Sequence, residues 1–310
     1  MYFPYLRGRQ FDLIALRESL NEGLINKNII PIIEPVRTSS TLKDVIQMFH
    51  DKQREIILIR NPKVGTFDEE YASLSNEEQK QFDLIYNLSN VINGYIIEYK
   101  EDFLNIDYEN PYVLFINSPD LINFIEEEKS PKYIFVPEGS VFKRKLKNQY
   151  LVIMESRFVE EKRNSDYLLK DGTGRDIFYS SDHAFYRDEG YKGFADYSVV
   201  SKLYSDGGFA PFAVAFHLVY FTTDEKETLN VKSFVSKSND SIRDPAGKYH
   251  EALKMLKEWM DEEHSSPKTY AVKQFLRHYS DGSYPGLGTV KKLAFIHHFE
   301  MISKYLVEKE

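Results

Sequence analysis

No cysteine occurs anywhere in the 310 residues. That excludes disulfides, thiol nucleophiles, zinc–thiolate sites and iron–sulfur clusters. A thiol-free chain fits a reducing compartment, so the expectation is a cytoplasmic protein. An excess of positive charge is lacking as well, with 40 Lys and Arg against 48 Asp and Glu. The formal net charge is −8, so no global basic field attracts nucleic acid, and any such contact has to be local. No stretch approaches the roughly 18 uninterrupted apolar residues of a membrane helix. The opening MYFPYLRGRQ lacks the basic-then-apolar pattern of a signal peptide. Also missing are the His-Glu-x-x-His, nucleophile-elbow, Walker and dinucleotide-glycine motifs. Gly172-Thr173-Gly174 lies in a polar loop and reads as a turn. Tryptophan occurs once, whereas Tyr and Phe occur 22 times each, enough rings to fill much of a core.

What is present is a series of short apolar runs. They cover Ile29–Val36, Glu55–Arg60, Gly94–Tyr99, Tyr112–Asn117, Tyr133–Pro137, Tyr150–Glu155, Asp176–Ser180 and Phe212–Phe221. Unbroken apolar runs of this length suit strands covered on both faces. Helical or polar segments separate them. Phe11–Leu24 carries leucines at helix spacing, and Thr41–His50 follows a Ser-Ser-Thr cap signal. Leu74–Ile92 opens with the capping-box pair Ser75 and Glu78, and Pro119–Glu128 has proline in its first turn. Strand–helix alternation predicts parallel strands joined by crossovers. Eight such units predict an α/β fold, a TIM-like (β/α)8 barrel over residues 1–235. An open doubly wound sheet is the alternative. An extra strand is expected at Asn230–Val235. Residues 236–310 then form a C-terminal helical extension with helices at Pro245–Glu262, Pro267–Tyr279 and Gly288–Val307. In the last helix Phe295, Phe299, Ile302 and Leu306 make one stripe, which predicts packing on the barrel.

The polar residues that end these runs are the first site candidate. Glu34, Arg60 with Asn61, Glu98, Asn117, Glu138 and Glu155 close successive strands, and Asp182 and His183 follow the seventh. In a parallel barrel such ends converge on the face where active sites are built. Glu34, Arg60, Glu98 and Glu155 are the catalytic candidates. Carboxylates around an arginine could hold a divalent cation such as Mg²⁺ or Mn²⁺, or act as acid and base. His217, within AVAFHLVYF, is either a core histidine or a further site residue. A second candidate is the glycine-rich helix start PGLGTVKK. There Gly286, Gly288, Thr289, Lys291 and Lys292 suggest an anion site for phosphate, including that of a nucleic-acid backbone. Adjacent His297 and His298 diverge by about 100° on a helix and make a poor joint metal site.

The opening MYFPYLRGRQFDLIALRE followed by IIPIIEPV resembles the start of the phage-type beta-protein family. ADYS and VYFTTD are similar to that family's later landmarks, and YPGLGTVKKLAFIHHFEMI is similar to the ending of a related, largely uncharacterised bacterial family. The resemblance implies a barrel-like fold and a role in prophage biology, including exclusion of other phages. By position Arg7, Arg9, Glu34, Asp196 and Tyr197 match the pattern. No catalytic assignment comes with them. The chain departs from the pattern at its eighth run, where a histidine-containing stretch replaces an Arg-Tyr pair. The leading expectation is therefore an antiviral defence or phage-exclusion protein whose barrel mouth recognises a ligand or a protein partner encoded nearby. A metal-dependent hydrolase of phosphate esters and a non-catalytic subunit that docks through Leu293–Leu306 are the alternatives.

Overall fold

Tyr2–Leu6 forms strand β1, and all five of its residues are buried. A computed structural model describes residues 1–309 apart from 126–128, 148, 208–210, 223–224 and 263–267. After β1 come α1 (Gln10–Asn21), β2 (Ile32–Ile33), α2 (Ser40–Asp51), β3 (Ile56–Ile59), α3 (Phe67–Ser73), α4 (Asn76–Tyr86), β4 (Val91–Ile97), β5 (Tyr112–Ile116), β6 (Tyr133–Val136), α5 (Ser140–Lys145) and β7 (Leu151–Met154). The chain continues through β8 (Asp176–Ser180), α6 (Asp182–Phe185), β9 (Gly193–Asp196), β10 (Ala215–Phe221), β11 (Leu229–Val235), α7 (Pro245–Asp261), α8 (Tyr270–Asp281) and α9 (Leu287–Glu308). These elements divide into two compact units. The first comprises residues 1–13, 27–155 and 185–197, and the second 14–26, 156–184 and 198–310. Residues 1–235 are thus shared between the units, and 236–310 all fall in the second.

The first unit contains a closed, TIM-like parallel barrel in the order β1-β2-β3-β4-β5-β6-β7-β9, with β9 pairing back onto β1. Period two along each strand points alternate residues inward. Phe3, Tyr5, Ile32, Ile57, Ile59, Val113, Phe115, Phe135 and Ala195 belong to one buried cluster. Phe115 and Phe135 stack at 4.4 Å, and Phe3 meets Phe135 edge-on at 5.2 Å. The interior is therefore a packed core and not a pore. Outside it, α2 starts where the Ser39 hydroxyl accepts from the Leu42 N–H, and it buries Leu42, Val45, Ile46 and Phe49. The capping box at Ser75 and Glu78 opens α4 as its spacing predicts.

Eight strands close the barrel, but two of them differ from the eight apolar runs. β8 and β10, expected as the seventh and eighth barrel strands, instead join β11 in a separate antiparallel sheet, ordered β10-β11-β8. β1 and β9 take their places. Proline in β1 and the glycine in a four-residue β9 hide both segments from a strand pattern. Other boundaries move as well. α4 ends at Tyr86 and β4 begins at Val91, so no helix reaches Ile92. Pro119–Phe124 is a short 3₁₀ turn, and the end of the expected helix, 126–128, lies outside the described residues, as does Pro267.

In the second unit, α9 is covered on every side. From Leu293 to Leu306 only Lys304 is exposed. His297 donates from Nε2 to the Val219 carbonyl at 2.7 Å, and its Nδ1 accepts the Thr269 hydroxyl at 2.8 Å. The Tyr270 N–H donates to Glu300 at 2.7 Å, and Ser303 is held by Asn26. The apolar stripe expected on this helix leaves no apolar side chain of that stretch exposed for a partner.

Candidate functional site

The carboxyl ends of the barrel strands gather a small ionic cluster. Phe3, Tyr5 and Arg7 share one face at period two, so Arg7 continues the inward side of β1. Gly8 turns the chain immediately afterwards at φ +62°, where a Cβ would meet the Glu34 carbonyl at 3.1 Å. Ile32 places Glu34 inward from β2 by the same alternation. Glu34 is fully buried and receives three donors. They are the Tyr5 hydroxyl at 2.6 Å, the Arg7 guanidinium, and the Lys63 backbone N–H at 2.8 Å. A buried carboxylate needs such partners to stay charged.

Tyr197, the residue after β9, completes the cluster. Its ring centre lies 5.0 Å from that of Tyr5. The Arg7 guanidinium sits 5.3 Å from the Tyr5 centroid and 5.5 Å from that of Tyr197. Burial, then the charge of Glu34, pushes the Tyr5 phenol well above its ordinary value, with Arg7 opposing. Burial likewise raises the Tyr197 phenol against the pull of Arg7, and Glu34 and Glu155 add to the rise. Both phenols therefore stay protonated. Tyr5 spends its proton on Glu34. The Tyr197 hydroxyl, by contrast, has no hydrogen-bond partner among the described residues.

The remaining strand ends divide between this cluster and other tasks. Asn61 clamps β4 through both the N–H and the carbonyl of Ile96, at 2.9 and 2.8 Å. The Lys63 ammonium lies 3.3 Å from Asp102 and 4.0 Å from Glu98, so Glu98 connects to Glu34 only through the Lys63 residue. Glu155 accepts the Glu138 N–H at 2.8 Å and reaches Tyr197 through its charge. Arg60 faces the other way. One residue beyond inward-facing Ile59, it turns outward, donates to Asn93 at 2.7 Å and to the Tyr86 carbonyl at 2.5 Å, and lies over the Tyr86 ring. Asp196, also outward, accepts from the buried Tyr2 hydroxyl at 2.7 Å and anchors β1 to β9. Arg9 stands at the start of α1, where its carbonyl accepts the Leu13 N–H at 3.0 Å.

Other candidates fall in the second unit. Asp182 forms a two-point pair with Arg157 at 2.7 Å for each bond. His183 donates to the Lys226 carbonyl at 2.7 Å, and burial lowers its value to about 4. His217 meets the Ser233 hydroxyl at 3.0 Å, and burial takes it to about 3. At the start of α9, Gly286 supplies a left-handed turn at φ +89°, and no side chain caps the helix. Thr289 donates to the Pro285 carbonyl, Lys292 pairs with Glu18, and Lys291 lies 5.1 Å above the Phe295 ring. Gly288 is the second residue of the helix. The five residues of this helix start therefore do not converge on one point.

Among the described residues, no three His, Cys, Asp or Glu side chains gather as a metal site. Tyr5 and Lys63 are members of the mouth cluster that strand-end reading missed. Tyr5 was legible from its period-two spacing to Arg7, whereas Lys63 contributes through its backbone and leaves no side-chain signal. No family model matches the chain, and no curated protein matches its sequence.

Proposed function

We propose that the chain is a bacterial phage-exclusion protein that acts in the cytoplasm by recognising a ligand or partner at the mouth of its barrel. One observation carries the recognition step. The Tyr197 hydroxyl is held protonated and unpartnered among the described residues, beside an arginine that Glu34 fixes in place. A planar guanidinium with an adjacent phenol O–H suits a carboxylate or phosphate oxygen, because both groups donate at neutral pH and the guanidinium has no acceptor. Glu34 and Tyr5 hold the geometry, Arg7 supplies the charge, and Tyr197 supplies the directional bond. The link to phage exclusion rests on the likeness of the opening and ADYS segments to the phage-type beta-protein family.

Phage plating tests the proposal. Cells carrying the gene and its neighbours should give fewer plaques than cells without them for part of a broad phage panel. Tyr197→Phe removes one hydroxyl and keeps the ring, so it should restore plaques while the protein stays folded. Equal plating across the whole panel, with and without the wild-type gene, removes the defence reading. Protection that survives both Tyr197→Phe and Arg7→Ala removes the mouth from it.

A further inference from the structure

A cavity of about 290 Å³ lies within the second unit. It has room for roughly ten water molecules. Its walls are mainly apolar, from Phe158, Tyr167, Val199, Ala215, Phe216 and Val290. Polar groups are few: His217 on β10, Lys291 on α9, and Glu160, Glu161, Asn164 and Ser201 from the flanking loops. An apolar hollow with a few placed polar groups is the usual composition of a small-molecule site.

The polar groups are not equivalent. Glu161 pairs with Arg175, and the Asn164 amide donates to the Ala213 carbonyl at 2.9 Å. Glu160 is exposed, so water screens its charge. His217 is fixed in place, with its ring centre 4.5 Å from that of Tyr167 and 4.8 Å from that of Phe158. Its Nδ1 meets the Ser233 hydroxyl, and Nε2 has no hydrogen-bond partner among the described residues. The Ser233 hydroxyl has no other acceptor there, so its proton serves Nδ1 and leaves Nε2–H as a donor. Lys291 stands in the second turn of α9, at the positive end of a 22-residue helix.

We propose that this cavity binds a small aromatic molecule carrying a carboxylate. The ring lies among Phe158, Tyr167 and Phe216, the carboxylate meets the Lys291 ammonium, and a ring heteroatom or hydroxyl accepts from His217 Nε2. Aromatic walls favour a planar ligand through offset and edge contacts. Lys291, the one cation among the described lining residues, selects an acid over its ester.

Calorimetric titration decides the matter. The probes are pyridine-3-acetate, 4-hydroxyphenylacetate, their methyl esters and inorganic phosphate. At least one acid should saturate the wild-type chain, and its ester should bind about tenfold more weakly, the loss expected for one charge-assisted bond. Lys291→Ala should bring the acid down to the level of the ester. Ala215→Phe fills the hollow and should abolish binding of both; Ala215→Leu serves the same purpose if the phenylalanine variant fails to fold. Three results each overturn the proposal: neither acid saturates, acid affinity is unchanged in the filled variant, or phosphate displaces the acid at equal concentration.

Discussion

At the scale of single residues, the Arg7–Glu34 pair is held by the groups around it more than by its own attraction. The Glu34 carboxylate is fully buried, and the Arg7 side chain is 19% exposed. Removing one member of such a pair costs more than removing both, because the survivor keeps its desolvation penalty. Glu34→Gln preserves volume and should lower stability by about 3 kcal/mol, read from urea midpoints. Arg7→Met combined with Glu34→Leu should recover most of that loss. Tyr5→Phe deletes one bond to a charged acceptor and should cost about 2 kcal/mol. A double variant no more stable than Glu34→Gln alone would show that the pair is worth more than its apolar replacement. Sequence reading found Glu34 at the end of an apolar run, whereas Arg7 and Tyr197 came from the family resemblance and not from any apolar run. It misplaced Arg60 by a single step of alternation, because a strand end does not reveal which of two neighbouring residues points inward.

At the scale of elements, register in the barrel depends on which interior positions are small. Gly94 in β4 faces inward, and a Cβ there would lie 2.7 Å from the Ile59 Cδ1. The other near atoms are side chains of Ile57 and Phe115, at 3.1 and 3.2 Å. The backbone there is not left-handed, so space alone sets the cost. Gly94→Ala should destabilise by about 1 kcal/mol, the lower end of the overpacking range. Ile59→Val removes the Cδ1 atom, so Gly94→Ala on that background should cost nothing further. A full 1 kcal/mol loss on both backgrounds would place the strain elsewhere. Helices with caps were legible: Ser39 and Ser75 mark α2 and α4 where the sequence suggests. β1 and β9 were not, because their strand identity comes from pairing with distant partners. Tyr2–Leu6 is a strand only because Ile32–Ile33 and Gly193–Asp196 flank it.

At the scale of the whole molecule, the sequence implied an eight-stranded barrel but could not say which runs close it. β8 and β10 lie in the second unit, where β10 buries Phe216, Leu218, Val219 and Phe221 but β8 leaves Asp176 and Phe178 exposed. That second unit contains His183, His217 and His297, and the three histidines make it acid-sensitive. Burial lowers them to about 4, about 3 and about 4, against 6.5 in the unfolded chain. Each is neutral when folded and takes up a proton on unfolding below pH 6.5. The unfolded state therefore binds more protons in that window, and stability falls as pH drops from about 6.5 towards 4. Each group contributes up to about 1.4 kcal/mol per pH unit, so the three together approach about 4. By pH 5 the loss reaches about 6 kcal/mol, a substantial part of a typical domain stability of about 5–15 kcal/mol. Trp259, the single tryptophan, reports on this unit, with ring centres 5.2 Å from Tyr220 and 5.5 Å from Phe234. Its fluorescence-detected urea midpoint should fall steeply between pH 6.5 and 5. His217→Phe keeps a ring between Phe158 and Tyr167 and should remove about one third of the slope. Buried carboxylates lose stability only at lower pH, so they cannot mimic a loss that begins at 6.5. A midpoint that stays level from pH 7 to 5 would mean that these histidines take up protons in the folded chain just as in the unfolded one, so that their burial carries no acid sensitivity.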